Sequence, residues 1–209
     1  MKVIPFIYND IDDLNANTYL LIDNSSFCVV IDPSQDNDKL GDYISNNNLI
    51  LKAVLLTHGH VDHIRGIDRL VERFKAEVFI HYLDESLLTS PRHNLSSYMG
   101  ENVIVKSSVK TVTDGDVIKV LDEDIKVVHT PFHTEGSVCY FLKESKLLFS
   151  GDTLFKRSIG RDDFEKSNRH LRKESLEKLM AFSDDIKVYP GHGGFTTIGF
   201  ERNNNPFVK

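Results

Sequence analysis

The chain has 209 residues, of which 40% are apolar and 27% charged, the balance of an ordinary globular domain large enough to bury its own core. A formal net charge of −6 argues against nucleic acid as a partner. No apolar run is long enough to span a bilayer, so no membrane partner is expected, and the opening Met1-Lys2-Val3-Ile4-Pro5 does not read as a signal peptide. Cys28 and Cys139 each sit inside an apolar run and read as reduced, buried strand residues, so a reducing cytoplasm is the expected compartment.

In chain order, apolar and alternating runs predict strands over 2–8, 17–23 and 26–31, with Asp23-Asn24-Ser25-Ser26 as a hairpin turn. A short helix is predicted over 37–47 and a buried strand over 53–57, where Ala53-Val54-Leu55-Leu56 is apolar and branched. Ile64, Ile67, Leu70, Val71 and Phe74 recur at helical spacing and predict a helix over 64–75 with one buried face. Strands follow over 77–80, 102–106, 117–121, 125–129, 138–142 and 146–150, with Asp122-Glu123-Asp124 as a second hairpin turn. A helix over 168–182 turns Leu171, Leu176, Leu179 and Phe182 inward and precedes a last strand over 186–189. Periodicity alone gives an α/β protein and no particular fold.

The strand over 53–57 runs into Thr57-His58-Gly59-His60-Val61-Asp62-His63, which places four candidate metal ligands within six residues. Ligands at the end of a strand project from a rigid edge. Three imidazoles and a carboxylate suit zinc or a similar borderline metal better than calcium or magnesium, which prefer oxygen. Further candidates recur downstream: His133 in His129-Thr130-Pro131-Phe132-His133, Asp152 in Ser150-Gly151-Asp152-Thr153, and His192 in Pro190-Gly191-His192-Gly193. Each lies at or just past the carboxyl end of a predicted strand. A solvated, His-rich surface turn is the bland alternative for the first cluster.

The order HxHxDH, then a lone His, a lone Asp and a final His resembles the metallo-β-lactamase superfamily. It is carried here by His58, His60, Asp62, His63, His133, Asp152 and His192. The resemblance runs from Asn17-Thr18-Tyr19-Leu20 and Val30-Ile31-Asp32-Pro33 to Asn205-Pro206-Phe207. Within the superfamily the chain is most similar to the short bacterial glyoxalase II-like (hydroxyacylglutathione hydrolase-like) group. The segments Ser150-Gly151-Asp152-Thr153-Leu154-Phe155, Ser158-Ile159-Gly160-Arg161 and Thr196-Thr197-Ile198-Gly199-Phe200-Glu201 carry that likeness. It implies an α/β fold of the four-layer αβ/βα sandwich type, formed by residues 1–209 as one domain without the carboxy-terminal helical domain of longer glyoxalase II enzymes. It implies that His58, His60 and His133 bind a first metal and that Asp62, His63 and His192 bind a second. Asp152 would bridge them, and Asp62 and Asp152 would be the catalytic carboxylates. Two divalent ions are implied, with zinc the first choice and iron or manganese the substitutes. They would share a hydroxide that attacks the acyl carbonyl of a small-molecule thioester such as S-lactoylglutathione. A thiol, with an ordinary pKa of about 8.5, leaves without a strong acid to help it.

Single residues weigh the branches of the superfamily. His60 stands where flavodiiron proteins commonly carry Glu, and His63 where many antibiotic-hydrolysing members carry Arg or Cys. A mono-iron persulfide dioxygenase, with His58, His133 and Asp152 as ligands, is the alternative enzyme. A non-catalytic, metal-stabilised binding module is a further alternative, but a structural zinc closes on four ligands, fewer than the candidates here. The sequence departs from longer glyoxalase II enzymes after the last ligand, where Gly193, Gly194 and Phe195 replace a closely following Tyr. Arg161 falls where those enzymes place a basic glutathione contact, but Asp162 and Asp163 follow it instead of an aromatic. Lys156, Arg157 and Arg161 are the candidate contacts for an anionic substrate, or else form a solvated basic turn. Asp32 either holds a ligand's second nitrogen or simply ends its strand, and His129, opening the His-Thr-Pro segment, reads as an outer partner of the ligands or a loop residue rather than as a ligand. His81, His93 and His170 lack ligand companions and read as ordinary residues.

Overall fold

The structure, a computed structural model, describes residues 1–7 and 15–208. Strands β1 (Lys2–Phe6), β2 (Thr18–Ile22), β3 (Phe27–Ile31), β4 (Ile50–Leu55), β5 (Glu77–His81) and β6 (Lys110–Val112) form one sheet in that order. β1, β2 and β3 pair antiparallel, and β3 to β6 pair parallel. Parallel neighbours need crossovers, and helices α1 (Lys39–Asn46), α2 (Val61–Ile64) and α3 (Ile67–Phe74) supply the first two. The second sheet holds β7 (Val117–Ile118), β8 (Ile125–His129), β9 (Val138–Leu142), β10 (Leu147–Gly151), β11 (Lys187–Pro190) and β12 (Thr196–Thr197), again side by side in chain order. Helix α4 (Arg172–Met180) joins β10 to β11, and α5 (Ile198–Asn204) follows β12.

Three apolar clusters bind these parts into four layers. Ile44, Ile67 and Leu70 of the helices pack on Cys28, Val30, Val54 and Val78 of the first sheet. Tyr19, Val29, Leu55, Val127, Tyr140 and Phe149 meet between the sheets. Leu176, Leu179 and Ile198 pack on Val128, Cys139, Leu148 and Val188 of the second sheet. Strands β2 and β3 are buried on both faces, which is why they read as unbroken apolar runs. The helix–sheet–sheet–helix order is that of the expected αβ/βα sandwich.

The expected elements differ from the observed ones in a few places. The helix over 64–75 is divided into α2 and α3 at Arg65-Gly66. Gly66 N–H donates to Pro33 O at 2.8 Å, and the Asp62 carbonyl accepts from Ala16 N–H, so the helical ladder is interrupted. Only a glycine fits that crossing: a Cβ on Gly66 would press into the Gln35 carbonyl and Pro33. Residues 102–106 are not a strand. Val103 and Val105 pack on the outer cluster, but Val105 N–H donates to Leu88 O and Lys106 N–H to Asp68, while the edge of β5 pairs with β6. Short β6 and β12, helix α5 and two 3₁₀ helices, Tyr82–Thr89 and Ser96–Met99, carried too little periodicity to be read.

Candidate metal centre

Both sheets deliver their strand ends to one edge of the sandwich. β4 ends at Leu55, and Thr57 is fixed there from two sides: its N–H donates to Asp32 Oδ1 at 2.8 Å and its Oγ1 to Asp32 Oδ2 at 2.7 Å. Its carbonyl accepts from Val138 N–H of β9 at 2.8 Å, tying the first sheet to the second. His60 then stands as the N-cap of α2, and Asp62 and His63 lie within that single helical turn. The last ligand candidate is held through β2. Asn17 and Tyr19 donate to the Pro190 carbonyl, and Asn17 N–H donates to Gly191 O at 2.6 Å, which sets the backbone just before His192. Gly191 has to be glycine, because a Cβ there would collide with Asp152 Oδ1 and crowd the His63 ring.

All seven ligand candidates converge. His60 Nδ1 lies 3.1 Å from His58 Nε2 and 3.0 Å from His133 Nε2. Nitrogens coordinated at about 2.0–2.1 Å around a tetrahedral ion lie about 3.3 Å apart, so this trio has the spacing of a ligand set. On the other side, His192 Nε2 lies 3.1 Å and His63 Nε2 3.6 Å from Asp62 Oδ2. Asp152 sits between: Oδ1 is 3.4 Å from His63 Nε2, and Oδ2 is 3.5 Å from His133 Nε2 and 3.6 Å from His192 Nε2. His58, His60 and His133 form one group able to hold a metal ion, and Asp62, His63 and His192 form another. An overlapping trio of His58, His63 and Asp152 makes the two continuous. His60 Nε2, His63 Nε2 and Asp152 Oδ1 are buried without a hydrogen-bond partner among the described residues. Buried polar atoms left in that state are costly, and for His63 and Asp152 a cation between the groups satisfies them. The donor set therefore fits divalent metal.

The opposite ring nitrogens are occupied in a consistent way. His63 Nδ1 is 2.9 Å from Asp32 Oδ2, His133 Nδ1 is 2.8 Å from the Arg161 carbonyl, and His58 Nδ1 is 3.2 Å from Thr57 Oγ1. A carboxylate or carbonyl at Nδ1 places the proton there and leaves the Nε2 lone pair facing the centre. Asp32 thus stands behind the His63 ring. His129 does not touch a ligand. Its Nε2 lies 2.9 Å from Glu135 O, and its ring stacks on His81 at 4.0 Å, so it braces the loop that carries His133.

One buried residue was not singled out from sequence. Asp84 accepts from Gly59 N–H at 3.0 Å, from Thr134 Oγ1 at 2.7 Å and from Gly136 N–H at 2.8 Å. It joins the loop between His58 and His60 to the loop after His133. Its position in a 3₁₀ helix, with no ligand spacing, gave no signal in the sequence.

Charge in the centre follows burial and proximity. Burial holds His58 and His133 below the usual imidazole range and pushes His60 down to about 3. Burial acts the same way on His63, but Asp62, Asp32 and Asp152 outweigh it and favour positive charge at that ring, which a cation on its Nε2 would supply in place of a second proton. Burial alone would raise the Asp152 carboxyl; His192, His63 and His133 outweigh it and hold it ionised.

A cleft of 700 Å³ opens over the centre. His60, Asp62, His133, Asp152 and His192 form its floor, and Arg161 is on its wall. Lys156 and Arg157, expected beside Arg161, are not among the lining residues. Lys156 Nζ lies over the Phe200 ring at 5.8 Å, the Arg157 guanidinium over the same ring at 5.5 Å, and Arg157 N–H donates to Glu201. The turn at Arg157, which has a φ of 60°, directs both side chains toward α5.

The chain belongs to the metallo-β-lactamase superfamily, which residues 11–192 match. It is 37% identical to an uncharacterized protein of Mycobacterium leprae, ML0493, with 94% of each chain covered. It is 32% identical to the probable metallo-hydrolase YqgX of Bacillus subtilis over 93% of each. It is 31% identical to the hydroxyacylglutathione hydrolase GloC of Haemophilus influenzae, covering 100% of this chain and 97% of that one. Among solved structures, the BLEG-1 B3 metallo-β-lactamase superposes with a TM-score of 0.92 at 31% identity over the whole of both chains. A di-iron-bound protein, TTHA1623, gives 0.86 at 31% identity, with 98% and 99% covered. ETHE1 of Myxococcus xanthus gives 0.79 at 30% identity, with 99% of this chain and 84% of that one covered.

Proposed function

We propose that this protein is a dinuclear metal-dependent hydrolase that cleaves thioesters, S-lactoylglutathione among them, to a carboxylate and a thiol. The observation that carries the reading is the position of Asp152, whose two oxygens face the His133 and His63 sides of one continuous ligand set. His58, His60 and His133 would hold one ion, Asp62, His63 and His192 the other, and Asp152 both. Zinc suits these donors, and the di-iron-bound TTHA1623 keeps iron in view. Two divalent ions held there would supply Lewis-acid activation of water and polarisation of an acyl carbonyl.

The chain's own residues do the positioning. Asp32, Thr57 and the Arg161 carbonyl fix ring orientation and tautomer, so three imidazoles meet the centre as preset lone pairs. Phe164 lies edge-on to His60 at 5.2 Å and to His133 at 5.7 Å and shields that side from water. A thiolate needs no protonation to leave, which suits a cleft whose floor, among the described residues, offers no acid beyond the ligand set. The likeness to the Haemophilus influenzae hydroxyacylglutathione hydrolase supports the same chemistry.

A second reading, a mono-iron persulfide dioxygenase using His58, His133 and Asp152, is favoured by the likeness to ETHE1. The convergence of Asp62, His63 and His192 into a further group of ligands weighs against it. Metal-loaded protein should hydrolyse S-lactoylglutathione and consume no oxygen with glutathione persulfide. Oxygen uptake without thioester cleavage would establish the dioxygenase instead.

A further inference from the structure

The walls of the cleft bear on which thioesters enter it, an inference that rests on the thioesterase reading. Above the ligands the lining is largely apolar. Phe164 sits over His60 and His133, and Phe155 lies edge-on to His192 at 5.8 Å. Leu95, Tyr98, Met99 and Ile159 continue the wall. Tyr98 stands 74% exposed there, an aromatic surface open to a ligand. This wall is built rigidly. The buried Asn94 donates through Nδ2 to Val103 O and accepts from Ser96 N–H, while its own carbonyl accepts from Val61 N–H at the start of α2. Leu95 follows with a φ of 70°, which turns the chain into the 3₁₀ helix that carries Tyr98 and Met99.

The charged part of the lining is already paired. Among the described residues, the lysine and arginines that line the cleft each face an acid. Arg161 donates twice to Asp163, Arg92 binds Glu165 at 2.9 Å, and Lys166 lies 4.0 Å from Glu135. A substrate carboxylate reaching any of these cations would displace another carboxylate, an exchange of like for like in exposed pairs that are weak to begin with. The displaced Asp163 or Glu165 would remain in the cleft and repel it.

We propose that the non-reacting arm of the substrate is uncharged and apolar, an aliphatic or aromatic group lying along Phe164, Tyr98, Met99 and Leu95, and that the cleft does not read the two carboxylates of a glutathionyl group. Glutathione thioesters are then cleaved as one carrier among several, and affinity follows apolar length.

Non-hydrolysable thioethers separate binding from turnover. Titration calorimetry on the metal-loaded protein would compare S-methyl, S-butyl and S-hexyl derivatives of N-acetylcysteamine and of glutathione. Affinity should rise about fourfold per added methylene, near the usual value for a methylene leaving water. At equal alkyl length, glutathione should bind no more tightly than N-acetylcysteamine. Tyr98→Ala should flatten the alkyl series, and Arg161→Ala should leave S-methylglutathione unchanged. Glutathione derivatives binding tenfold more tightly at equal length, with Arg161→Ala abolishing the advantage, would overturn the proposal. A flat alkyl series in the unsubstituted protein would overturn it too. If the alkyl series rises as expected and no thioester is cleaved, the apolar arm stands and the thioesterase reading falls.

Discussion

Asp32 Oδ2 lies 2.9 Å from Nδ1 of His63, with both side chains buried, and the same carboxylate takes the N–H and hydroxyl of Thr57. One acid therefore orients a ring of the second ligand group and the strand end that launches the first. Loss of such an outer partner ordinarily lowers metal affinity about 10–100-fold. Asp32→Asn should weaken the ion held by Asp62, His63 and His192 by a factor in that range and affect the other less. Cobalt titration of the metal-free variant reads the two affinities. An equal loss at both would show that Asp32 acts through Thr57 and the backbone rather than through His63.

Asp152 faces both groups, while His192 faces one. Asp152→Ala should lower occupancy at both positions, and His192→Ala should mainly empty the second. Metal analysis after dialysis distinguishes the two patterns. Retention of both ions by Asp152→Ala would remove the bridging role.

Asp84 gives a prediction for pH. Burial pushes its carboxyl up to about 6 from an ordinary 3.8, against the three donors that favour the charged form. The folded chain thus binds this proton more tightly than the unfolded chain does. The stabilisation is fully present below about pH 4 and is lost as the pH rises through about 6. Asp84→Asn removes that dependence. The stability of metal-free variant relative to metal-free parent should rise between those limits by on the order of 3 kcal/mol. Urea unfolding at several pH values reads the difference, in which the other titrating groups cancel. Parallel curves for the two proteins would refute the assignment.

Much of the centre was legible because its residue types are costly to bury without purpose. His58, His60, Asp62 and His63 are packed into one strand-to-helix turn, and His133, Asp152 and His192 each follow an apolar run, so both chemistry and placement showed in the sequence. The sandwich was legible only through the family resemblance, since unbroken apolar runs such as Leu20-Leu21-Ile22 give burial but not strand order. Asp84 was hidden because its partners, Gly59, Thr134 and Gly136, come from distant loops and are mostly backbone. Lys156 and Arg157 were misplaced because sequence proximity to Arg161 says nothing about the positive-φ turn at Arg157 itself. The break at Gly66 depends on a carbonyl of Pro33, a contact that helical spacing cannot reveal.

The proposed function requires two ions acting together at this centre. Its most direct test is titration of the metal-free protein with zinc while S-lactoylglutathione hydrolysis is followed in the same sample. Activity should stay low through the first equivalent and saturate at two zinc ions per chain. Full activity at one equivalent, with no further change at the second, would contradict a dinuclear mechanism and leave Asp62, His63 and His192 without the role assigned to them.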